Sequence, residues 1–499
     1  MNKFSSKAAA ITIFLLLMVC TAYIVTKRSS IWQVVTHFST AGTPSQLSSL
    51  KHLKKTYDFL DKEDQQRTKL CLLTTIGQEK MTSLIEKWKT ARTLDTKTLN
   101  QLQSCLLETT DNEGAVAEKK DSNTLSAFEG ELVKPAERDP EKWGTARCND
   151  GTPFAFKIEK PKDNISNEWV VYLQGGGMCD DNALDCKDRL QDYPQRTTTL
   201  TGKDGQKYSI IGNAGIFNHD PDLNPEFYNA NKVYAHYCSS DGWSGTTADR
   251  ITTTAGPAGW YFSGQLNATA LFEILKEEYG LNDSNQNTKI LLSGGSAGCF
   301  GANINAEQAT KLFPNTAQDG RLKIVSDGCY MPHFDNPTYR VGKSGESIEA
   351  VLIKAHDFWH AGVNSACERS MKAQGKPAGS CYMGDELIHY TTSCSGDGLC
   401  LSNLVQYSSI DHWAVLNHGI DPKASPNNTG LEQWRSTALK ELEKPEITWL
   451  FSGGNISYHT LLMEDAMWQY GDTNGQTFGN VLVNFWNDKP ARKVIFGNP

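Results

Sequence analysis

The sequence lacks the features that usually identify nucleic-acid-binding proteins and enzymes that depend on a metal or nucleotide. It has no long basic run, and its formal net charge of −8 over 499 residues argues against nucleic acid as the main partner. No C-x-x-C pair has zinc-like spacing, and no histidine pair has the spacing of a zinc protease. No phosphate-binding glycine motif opens a helix. We therefore expect neither a metal nor an organic cofactor.

Charged residues are also absent from one long stretch near the N-terminus. From Ala8 to Thr26 the chain runs 19 residues without a charge. As a helix this stretch would span roughly 28 Å, about the thickness of a bilayer core. A cleaved signal peptide usually has a shorter apolar core and a small-residue cleavage site. Residues 1–30 are therefore predicted to be an uncleaved signal anchor, with secretion after cleavage as the alternative.

The cysteines indicate the compartment. The chain has 13 cysteines, of which Cys20 lies in the apolar stretch and the others run from Cys71 to Cys400. An even number of cysteines outside the anchor is typical of disulfides formed in an oxidising compartment. Glycosylation sequons of the form N-x-[ST] agree with this interpretation and occur at Asn164, Asn267, Asn282, Asn427 and Asn455. We expect a single-pass protein whose remainder lies in the secretory-pathway lumen or outside the cell.

Three regions follow from the change in pattern along the chain. After the anchor, residues 31–125 carry apolar residues at helical spacing and end in a polar linker, which predicts a helical stalk or cap. Cys71 and Cys105 are expected to link two of its helices. Residues 126–499 alternate short apolar runs with helical stretches, which predicts an α/β catalytic domain with a mostly parallel sheet. In such sheets, functional sites form at the carboxyl ends of the strands.

One serine stands out at such a strand end. The stretch "ILLSGGSAGCFGAN" places Ser296 between Gly294 and Gly298, directly after an apolar run and before a helical one. This context is typical of a nucleophile elbow, in which a sharp strand-to-helix turn exposes the serine hydroxyl. The alternative is a plain glycine-rich turn that happens to contain a serine.

A nucleophilic serine needs a base and an orienting acid, which follow it in the order acid, then histidine, in this fold class. Asp411 follows the run "LVQYSSI", and His459 follows "WLFSGGNISY". Asp327, which also follows a strand, is the rival acid. Other histidines after the serine include His356, His360, His412 and His418.

The glycines of "LQGGGMCDD", residues 173–181, suggest the third element of such a site. Backbone N–H groups of Gly176 and Gly177, with that of Ala297, are expected to form an oxyanion hole. A flexible glycine turn is the alternative. Cys179 and Cys186 lie seven residues apart, and a disulfide between them would hold these glycines in place.

Taken together, these motifs resemble those of the pectin acetylesterase family, which includes polysaccharide deacetylases and protein carboxylesterases of the Notum type. The matching segments lie between about residues 140 and 465, and they are "RCNDGTP", "YLQGGGMCDD", "NPEFYNANKVYAHYCSSDGWSG", "LLSGGSAGCFGANIN", "VSDGCY", "LVQYSSID" and "GNISYHTLL". The resemblance implies an α/β-hydrolase-like fold. It also implies Ser296 as nucleophile, Asp411 as acid and His459 as base.

The resemblance carries two further implications and two departures. It suggests that Cys148 pairs with Cys238, and the pairing of the remaining cysteines stays open for Cys299, Cys329, Cys367, Cys381, Cys394 and Cys400. The family usually has glycine or a hydroxyl-rich turn where Cys299 stands. It usually has an aromatic residue where Met178 stands, so the acyl pocket is not predicted from the family pattern.

The function expected from the sequence is that of a serine carboxylic-ester hydrolase acting outside the cytosol. Its expected substrate is an O-acylated polysaccharide that carries acetyl groups. A Notum-like protein deacylase that removes a fatty acyl group is one alternative. A catalytically inactive binding protein with a hydrolase fold is the other.

Overall fold

The computed structural model describes residues 128–495 except for 129, 162–165, 201–213, 342–343, 395–397, 409–410, 421–428, 454–457, 469–470, 472–475 and 492. These residues belong to one compact unit, Thr124–Pro499. The predicted anchor, the helical region 31–125 with its Cys71–Cys105 link, and the sequons at Asn164, Asn427 and Asn455 lie outside the described residues. Within the described region, no helix combines the length and apolar character needed to cross a membrane.

The strands of the described region form one large sheet and one small hairpin. They are β1 (Glu131–Val133), β2 (Phe156–Glu159), β3 (Glu168–Leu173), β4 (Asn231–Ala235), β5 (Ile251–Thr253), β6 (Gly256–Trp260), β7 (Lys289–Gly295), β8 (Leu322–Asp327), β9 (Ser402–Ser408), β10 (Trp449–Gly453) and β11 (Lys493–Ile495). The order in the large sheet is β1-β2-β4-β3-β7-β8-β9-β10-β11, and β5 pairs with β6.

All neighbouring strands from β4 to β11 in the order of the large sheet are parallel. The antiparallel pairs of this sheet are β1–β2 and β2–β4, at one edge. The apolar runs that precede Ser296, Asp411 and His459 form β7, β9 and β10 of its parallel part. Their residues are buried almost throughout, because helices cover both faces of a parallel sheet and leave no face for solvent. The predicted α/β class with a mostly parallel sheet is therefore confirmed.

The helices lie between these strands. The α-helices are α1 (Pro135–Arg138), α2 (Pro140–Trp143), α3 (Cys186–Asp192), α4 (Gly264–Glu277), α5 (Ala297–Ile304), α6 (Ala306–Leu312), α7 (Pro314–Gln318), α8 (Ile348–Phe358), α9 (Ser365–Ala373), α10 (Gly384–Thr392), α11 (His412–Asn417), α12 (Thr429–Leu442) and α13 (Phe478–Trp486). Short 3₁₀ turns form at Pro194–Arg196, Gly215–Phe217, Ala378–Tyr382 and Asp465–Trp468.

The core divides into clusters on the sheet and beneath the inserted helices. The largest cluster joins β2, β3, β4 and β7 to α4 through residues such as Phe156, Val171 and Leu271. A second cluster centres on Trp434 of α12, packed against β9 and β10. A third lies under α8 and holds Phe300 and Trp359. The segment from α8 to α10 is an insertion between β8 and β9, and it packs against α5 and the loop that follows β8.

Disulfides connect the loops around this sheet edge. The structure pairs Cys148 with Cys238 and Cys179 with Cys186, whose Cα atoms lie 4.8 Å and 5.1 Å apart. The pairs left open by the sequence are Cys299–Cys329, Cys367–Cys381 and Cys394–Cys400. The first of these joins the start of α5 to the loop after β8, so a covalent link ties two neighbouring strand ends together.

One of the predicted glycosylation sites is not available in the folded protein. Asn267 is fully buried in α4, and its side-chain amide donates a hydrogen bond of 3.0 Å to the carbonyl oxygen of Arg147. A glycan attached to this nitrogen would have to replace both the hydrogen bond and the packing. Asn282, in contrast, lies exposed at a turn.

We predict that the folded protein, made in the secretory pathway of a eukaryotic host, carries a glycan at Asn282 and none at Asn267. Peptide mapping by mass spectrometry checks both sites in one sample. Asn267→Gln should lower the free energy of unfolding by about 1–3 kcal/mol, because a buried carbonyl loses its donor. Asn282→Gln should leave stability unchanged and abolish the glycan. A glycan found on Asn267 in the folded protein would contradict its buried position.

Candidate functional site

Ser296 occupies a sharp turn between β7 and α5. Its backbone has φ 54° and ψ −120°, a conformation that non-glycine residues rarely adopt and that costs of order 1–3 kcal/mol. A hydrogen bond of 2.9 Å from its N–H to the carbonyl oxygen of Asp327 holds the turn. The neighbours Gly295 and Ala297 are buried, whereas Ser296 is half-buried. The turn therefore presents the serine side chain at the sheet edge.

Steric constraints explain why glycine flanks this serine. An ideal Cβ at Gly298 would lie 1.8 Å from the carbonyl oxygen of Leu173 at the end of β3. One at Gly294 would lie 2.3 Å from the carbonyl oxygen of Gly298. These distances are shorter than any real contact, so a side chain at either position would push α5 away from the sheet. The pattern G-x-S-x-G is thus a packing requirement of this turn.

The glycine-rich loop after β3 runs directly against Ser296. An ideal Cβ at Gly175 would lie 3.0 Å from the Cβ of Ser296. Gly176 and Gly177 follow with φ values of 141° and 73°, which favour glycine. None of the described residues accepts a hydrogen bond from the backbone N–H of Gly176, Gly177 or Ala297. These three N–H groups therefore remain available to a ligand beside the serine.

Asp411 and His459 are brought together from two different strand ends. The Nδ1 atom of His459 lies 2.8 Å and 3.0 Å from the two carboxylate oxygens of Asp411. Asp411 is buried and caps α11, where one of its oxygens accepts hydrogen bonds from the N–H groups of Trp413 and Ala414. These bonds fix the carboxylate, so its orientation determines that of the imidazole.

The charge environment of His459 favours its protonated form. Burial alone would lower the pKa of His459, but the charge and hydrogen bond of Asp411, together with the charge of Asp327, outweigh it. The net effect raises the pKa of His459 above its ordinary value of 6.5. A histidine in this setting accepts a proton readily and is stabilised once it carries one.

Asp327, the rival acid, has a different set of partners. It is fully buried at the end of β8, and its carboxylate accepts hydrogen bonds of 2.9–3.0 Å from the N–H groups of Leu461 and Leu462. Burial raises its pKa to about 7. Asp327 therefore holds the loop that carries His459, whereas Asp411 bonds the imidazole itself.

The loops of Ser296 and His459 are in contact with each other. An ideal Cβ at Gly295 would lie 2.9 Å from Cγ2 of Thr460, and one at Gly328 would lie 2.1 Å from the carbonyl oxygen of His459. The residues adjacent to the serine and the histidine in the chain thus touch. The described structure places both at the carboxyl edge of β7 and β8.

The remaining histidines have other surroundings. His418 is buried, its Nε2 donates a hydrogen bond to the carbonyl oxygen of Pro332, and its Nδ1 accepts the indole N–H of Trp434. Burial lowers its pKa, which fits a neutral core histidine. His356 pairs with the exposed Asp357, and His360 is exposed at the end of α8. The side chain of His412 lies outside the described residues.

One group of side chains has the composition of a metal site, on α10 and the loop after β8. His333, Asp385 and Glu386 place one potential ligand atom each within 4.8 Å of one another. Hydrogen bonds with Glu349 and Glu386 raise the pKa of His333 to about 10, and a protonated imidazole has no lone pair for a metal. Lys444 also forms an ion pair with Asp385. The group is therefore best described as an ion-pair network.

Several residues at the site were not found by the sequence analysis. The role of Asp327 depends on backbone N–H groups more than a hundred residues away in the chain, and it left no local signal. Trp413, whose ring centroid lies 6.3 Å from that of His459, is 49% exposed. Its position two residues after Asp411 is the only sequence feature that points to it. Arg189 contacts the glycine-rich loop, and nothing near it in the sequence indicates this.

Comparison with known proteins places the chain among esterases. The chain is 27% identical to the palmitoleoyl-protein carboxylesterase Notum of Mus musculus over 252 residues, which cover 50% of this chain and 46% of the relative. It is 29% identical to pectin acetylesterase 11 of Arabidopsis thaliana over 227 residues, which cover 46% of this chain and 52% of the relative. The chain thus spans about half the length of the curated relatives it matches.

The fold has a counterpart among solved structures. A crystal structure of the Wnt deacylase Notum from Drosophila superposes with a TM-score of 0.56 at 21% identity, covering 70% of this chain and 93% of that one. At this identity the likeness concerns the fold. The family model for pectinacetylesterases matches residues 132–457, which include the serine turn, the glycine-rich loop and Asp411. The resemblance inferred from the sequence motifs is confirmed: the chain belongs to the pectinacetylesterase family.

Proposed function

We propose that this protein is a carboxylic-ester hydrolase in which Ser296 is the nucleophile, His459 the general base and Asp411 the orienting acid. The observation that carries the proposal is the pair of short contacts between Asp411 and Nδ1 of His459, beside a strained serine turn. A plain glycine turn would need neither the strained serine backbone nor a buried aspartate bonded to a histidine nearby. The catalytically inactive alternative is disfavoured because no member of the triad is missing.

The first half of the reaction forms an acyl-enzyme. Because the carboxylate of Asp411 accepts the Nδ1 proton, Nε2 of His459 carries the lone pair that removes the proton from Ser296. The Oγ atom attacks the ester carbonyl, and its oxygen becomes an anion that the N–H groups of Gly176, Gly177 and Ala297 stabilise. When the carbonyl re-forms, the bond to the alcohol oxygen breaks, and Nε2–H donates the proton to this oxygen.

The second half repeats the same steps with water. A water molecule gives a proton to Nε2 of His459 and attacks the acyl carbon. The tetrahedral anion again faces the three backbone N–H groups. Collapse of this anion breaks the bond to Ser296 and returns the proton from the imidazole to Oγ. The free acid leaves, and no cofactor takes part.

An acetyl group is the acyl group that we propose. Met178 directly follows the oxyanion glycines, and Phe300 lies one turn beyond Ser296. An ideal Cβ at Gly242 would lie 3.9 Å from side-chain atoms of both Met178 and Phe300. The ring of Phe300 in turn packs against that of Tyr382, with centroids 6.0 Å apart. Met178 and Phe300 thus both border Gly242, and we take these large side chains near the serine to favour a short acyl group over the fatty acyl group in the Notum names.

We further propose that the alcohol part of the ester is a sugar. The leaving oxygen takes its proton from His459, so the alcohol lies next to this side chain. Trp413 and Leu416, which share one face of α11, are 49% and 39% exposed there. An exposed indole beside a polar site suits the apolar face of a sugar ring. The flat indole ring offers a large apolar contact area, and little side-chain entropy is lost when a sugar binds it. An acylated polysaccharide is therefore the proposed substrate.

The cysteines support a location outside the cytosol. Five disulfides join described residues, and such bonds persist in secreted and lumenal proteins. We propose that the catalytic domain acts in the secretory-pathway lumen or outside the cell. Whether residues 1–30 anchor it to the membrane remains a prediction.

Substitutions in the triad test the chemistry. Ser296→Ala and His459→Ala should each abolish hydrolysis of p-nitrophenyl acetate, since both act in one proton-transfer unit and their losses do not add. Asp411→Asn should lower kcat by about 2–4 orders of magnitude, because the imidazole loses its tautomer and its charge partner. Asp327→Asn is the matched control and should retain more activity. If Asp327→Asn is inactive and Asp411→Asn is near wild type, with both folded by circular dichroism, the acid is wrongly assigned.

The different role of Asp327 also predicts a pH dependence of stability. Its pKa is about 7 in the folded protein, against an ordinary 3.8, so the folded state holds the proton more tightly than the unfolded state. The free energy of unfolding should therefore fall as pH rises from about 4 to about 7. Relative to Asp327→Asn, the wild type should lose up to about 4 kcal/mol over this range. Urea unfolding of both proteins at the two pH limits measures this, and parallel curves would refute it.

Exposed aromatic residues allow a matched test of the sugar. Trp413→Ala should lower kcat/KM for an acetylated oligosaccharide about tenfold, mostly through KM, whereas Trp413→Phe should retain most of it. Hydrolysis of ethyl acetate should change less than about twofold, since this ester does not reach the indole. Tyr228→Ala is the control, because Tyr228 is similarly exposed but precedes β4 at the opposite sheet edge. Equal losses on both esters would argue against a sugar platform.

A further inference from the structure

A buried arginine that has no part in the mechanism above contacts the glycine-rich loop. Arg189 of α3 is 6% exposed. Its Nη1 donates a hydrogen bond to the carbonyl oxygen of Gly176, and its Nε donates one to Oγ of Ser240. Among the described residues, the third nitrogen, Nη2, has no hydrogen-bond partner. Burying a cation costs free energy, so a guanidinium aimed at one backbone carbonyl calls for an explanation.

The geometry of the Gly176–Gly177 peptide bond explains the contact with Arg189. The bond between Gly176 and Gly177 is trans, so the Gly176 carbonyl and the Gly177 N–H point in opposite directions. Arg189 lies on the carbonyl side. The Gly177 N–H therefore points away from the guanidinium, and Gly177 itself is exposed at the loop surface. Because both residues are glycines, this peptide plane would turn easily without a partner.

We propose that Arg189 is a positioning residue of the ester hydrolysis, which fixes the Gly176–Gly177 peptide so that the Gly177 N–H faces the oxyanion. This inference rests on the proposed function. The hydrogen bond to the carbonyl locks the rotation of the plane. It also polarises the peptide, since a donor on the oxygen makes the N–H on the other side a stronger donor. Arg189 does not touch the substrate and acts through the backbone.

Arg189 is itself held firmly. The disulfide between Cys179 and Cys186 closes the seven-residue loop that leads from the glycines to α3, and Asp185 caps the helix through the N–H of Lys187. The guanidinium stacks on the ring of Tyr237, with its carbon 5.4 Å from the centroid. This disulfide is expected to hold the glycines in place, and it would do so by fixing α3, which carries Arg189.

The hydroxyl that holds Nε is also fixed. Ser240 donates a hydrogen bond of 2.6 Å to Oδ1 of Asn149. Asn149 is fully buried, and its amide donates to the carbonyl oxygens of Ser239 and Tyr261. The Ser240 hydroxyl that bonds Nε therefore belongs to a buried network, and the guanidinium has little freedom to leave the Gly176 carbonyl.

The charge of Arg189 adds to the effect. Burial lowers its pKa to about 10, so the group stays protonated at neutral pH. Its guanidinium also feels the charge of the buried Asp241, which acts on it without a direct ion pair among the described residues. A buried cation behind the loop favours a developing anion in front of it, and the effect is strong where water is excluded.

The test compares Arg189→Met and Arg189→Lys with the wild type on p-nitrophenyl acetate. Removing one oxyanion donor typically costs about 10²–10³ in kcat, so loosening one should cost about 10–100-fold. KM should change less than about twofold, because the neutral ester does not need the anion site. The inhibition constant of a phenyl trifluoromethyl ketone, which forms a tetrahedral anion on serine, should weaken by the same factor as kcat. Lysine should give an intermediate loss.

Arg321→Met is the matched control. Arg321 also donates to backbone carbonyls, those of Asn285 and Thr288, but it lies at the start of β8, at the opposite edge of the sheet. It should lose stability without loss of kcat. If Arg189→Met does not fold, Ser240→Ala replaces it, since removal of the hydroxyl frees Nε and should cause a smaller kcat loss of the same kind.

The outcomes separate this inference from the proposed function. Loss of kcat and of ketone affinity in parallel, with KM unchanged, supports the positioning role. A folded Arg189→Met with wild-type kcat, while Ser296→Ala is inactive, overturns it and leaves the proposed function standing. If Ser296→Ala is fully active, the proposed function itself has failed. A kcat loss without weaker ketone binding would also overturn the role, because the oxyanion donors would then be intact.

Discussion

The hydrogen bonds of Asp327 are the constraint on which the site depends. Its main-chain carbonyl accepts the N–H of Ser296, and its carboxylate accepts the N–H groups of Leu461 and Leu462. One buried residue at the end of β8 thus holds both the strained serine turn and the loop that carries His459. A strained backbone persists only where its surroundings hold it in place, and the main-chain carbonyl of Asp327 is one of the groups that hold the serine turn.

The charged groups around the site have separate tasks that follow from their partners. Asp411 accepts hydrogen bonds from backbone N–H groups and also bonds the imidazole of His459. Its carboxylate therefore stabilises the protonated form of His459. Asp327 is buried without a cation in direct contact, so burial raises its pKa and its role is structural. Arg189 lies on the far side of the glycine-rich loop. The two aspartates thus act on the histidine and its loop, whereas Arg189 contacts the glycine-rich loop.

The substrate proposal depends on the side chains that border the serine. Met178 and Phe300 border Gly242 between the glycine-rich loop and α5, and Trp413 is exposed beside His459. The relatives are named for two different substrates, a palmitoleoylated protein and an acetylated pectin. The proposal of a short acyl group on a sugar rests on these three side chains.

The sequence by itself determined the elements that local chemistry encodes. Apolar runs ending in small or polar residues marked the parallel strands, and the glycines around Ser296 marked the turn, because packing against Leu173 leaves no room for a side chain. The order of serine, acid and histidine named Ser296, Asp411 and His459 as candidates. Only the tertiary structure showed that Asp411 bonds His459 while Asp327 bonds backbone N–H groups, that the sequon at Asn267 is buried and that Arg189 reaches the Gly176 carbonyl. These facts depend on contacts between residues far apart in the chain, which the local pattern around each residue does not record.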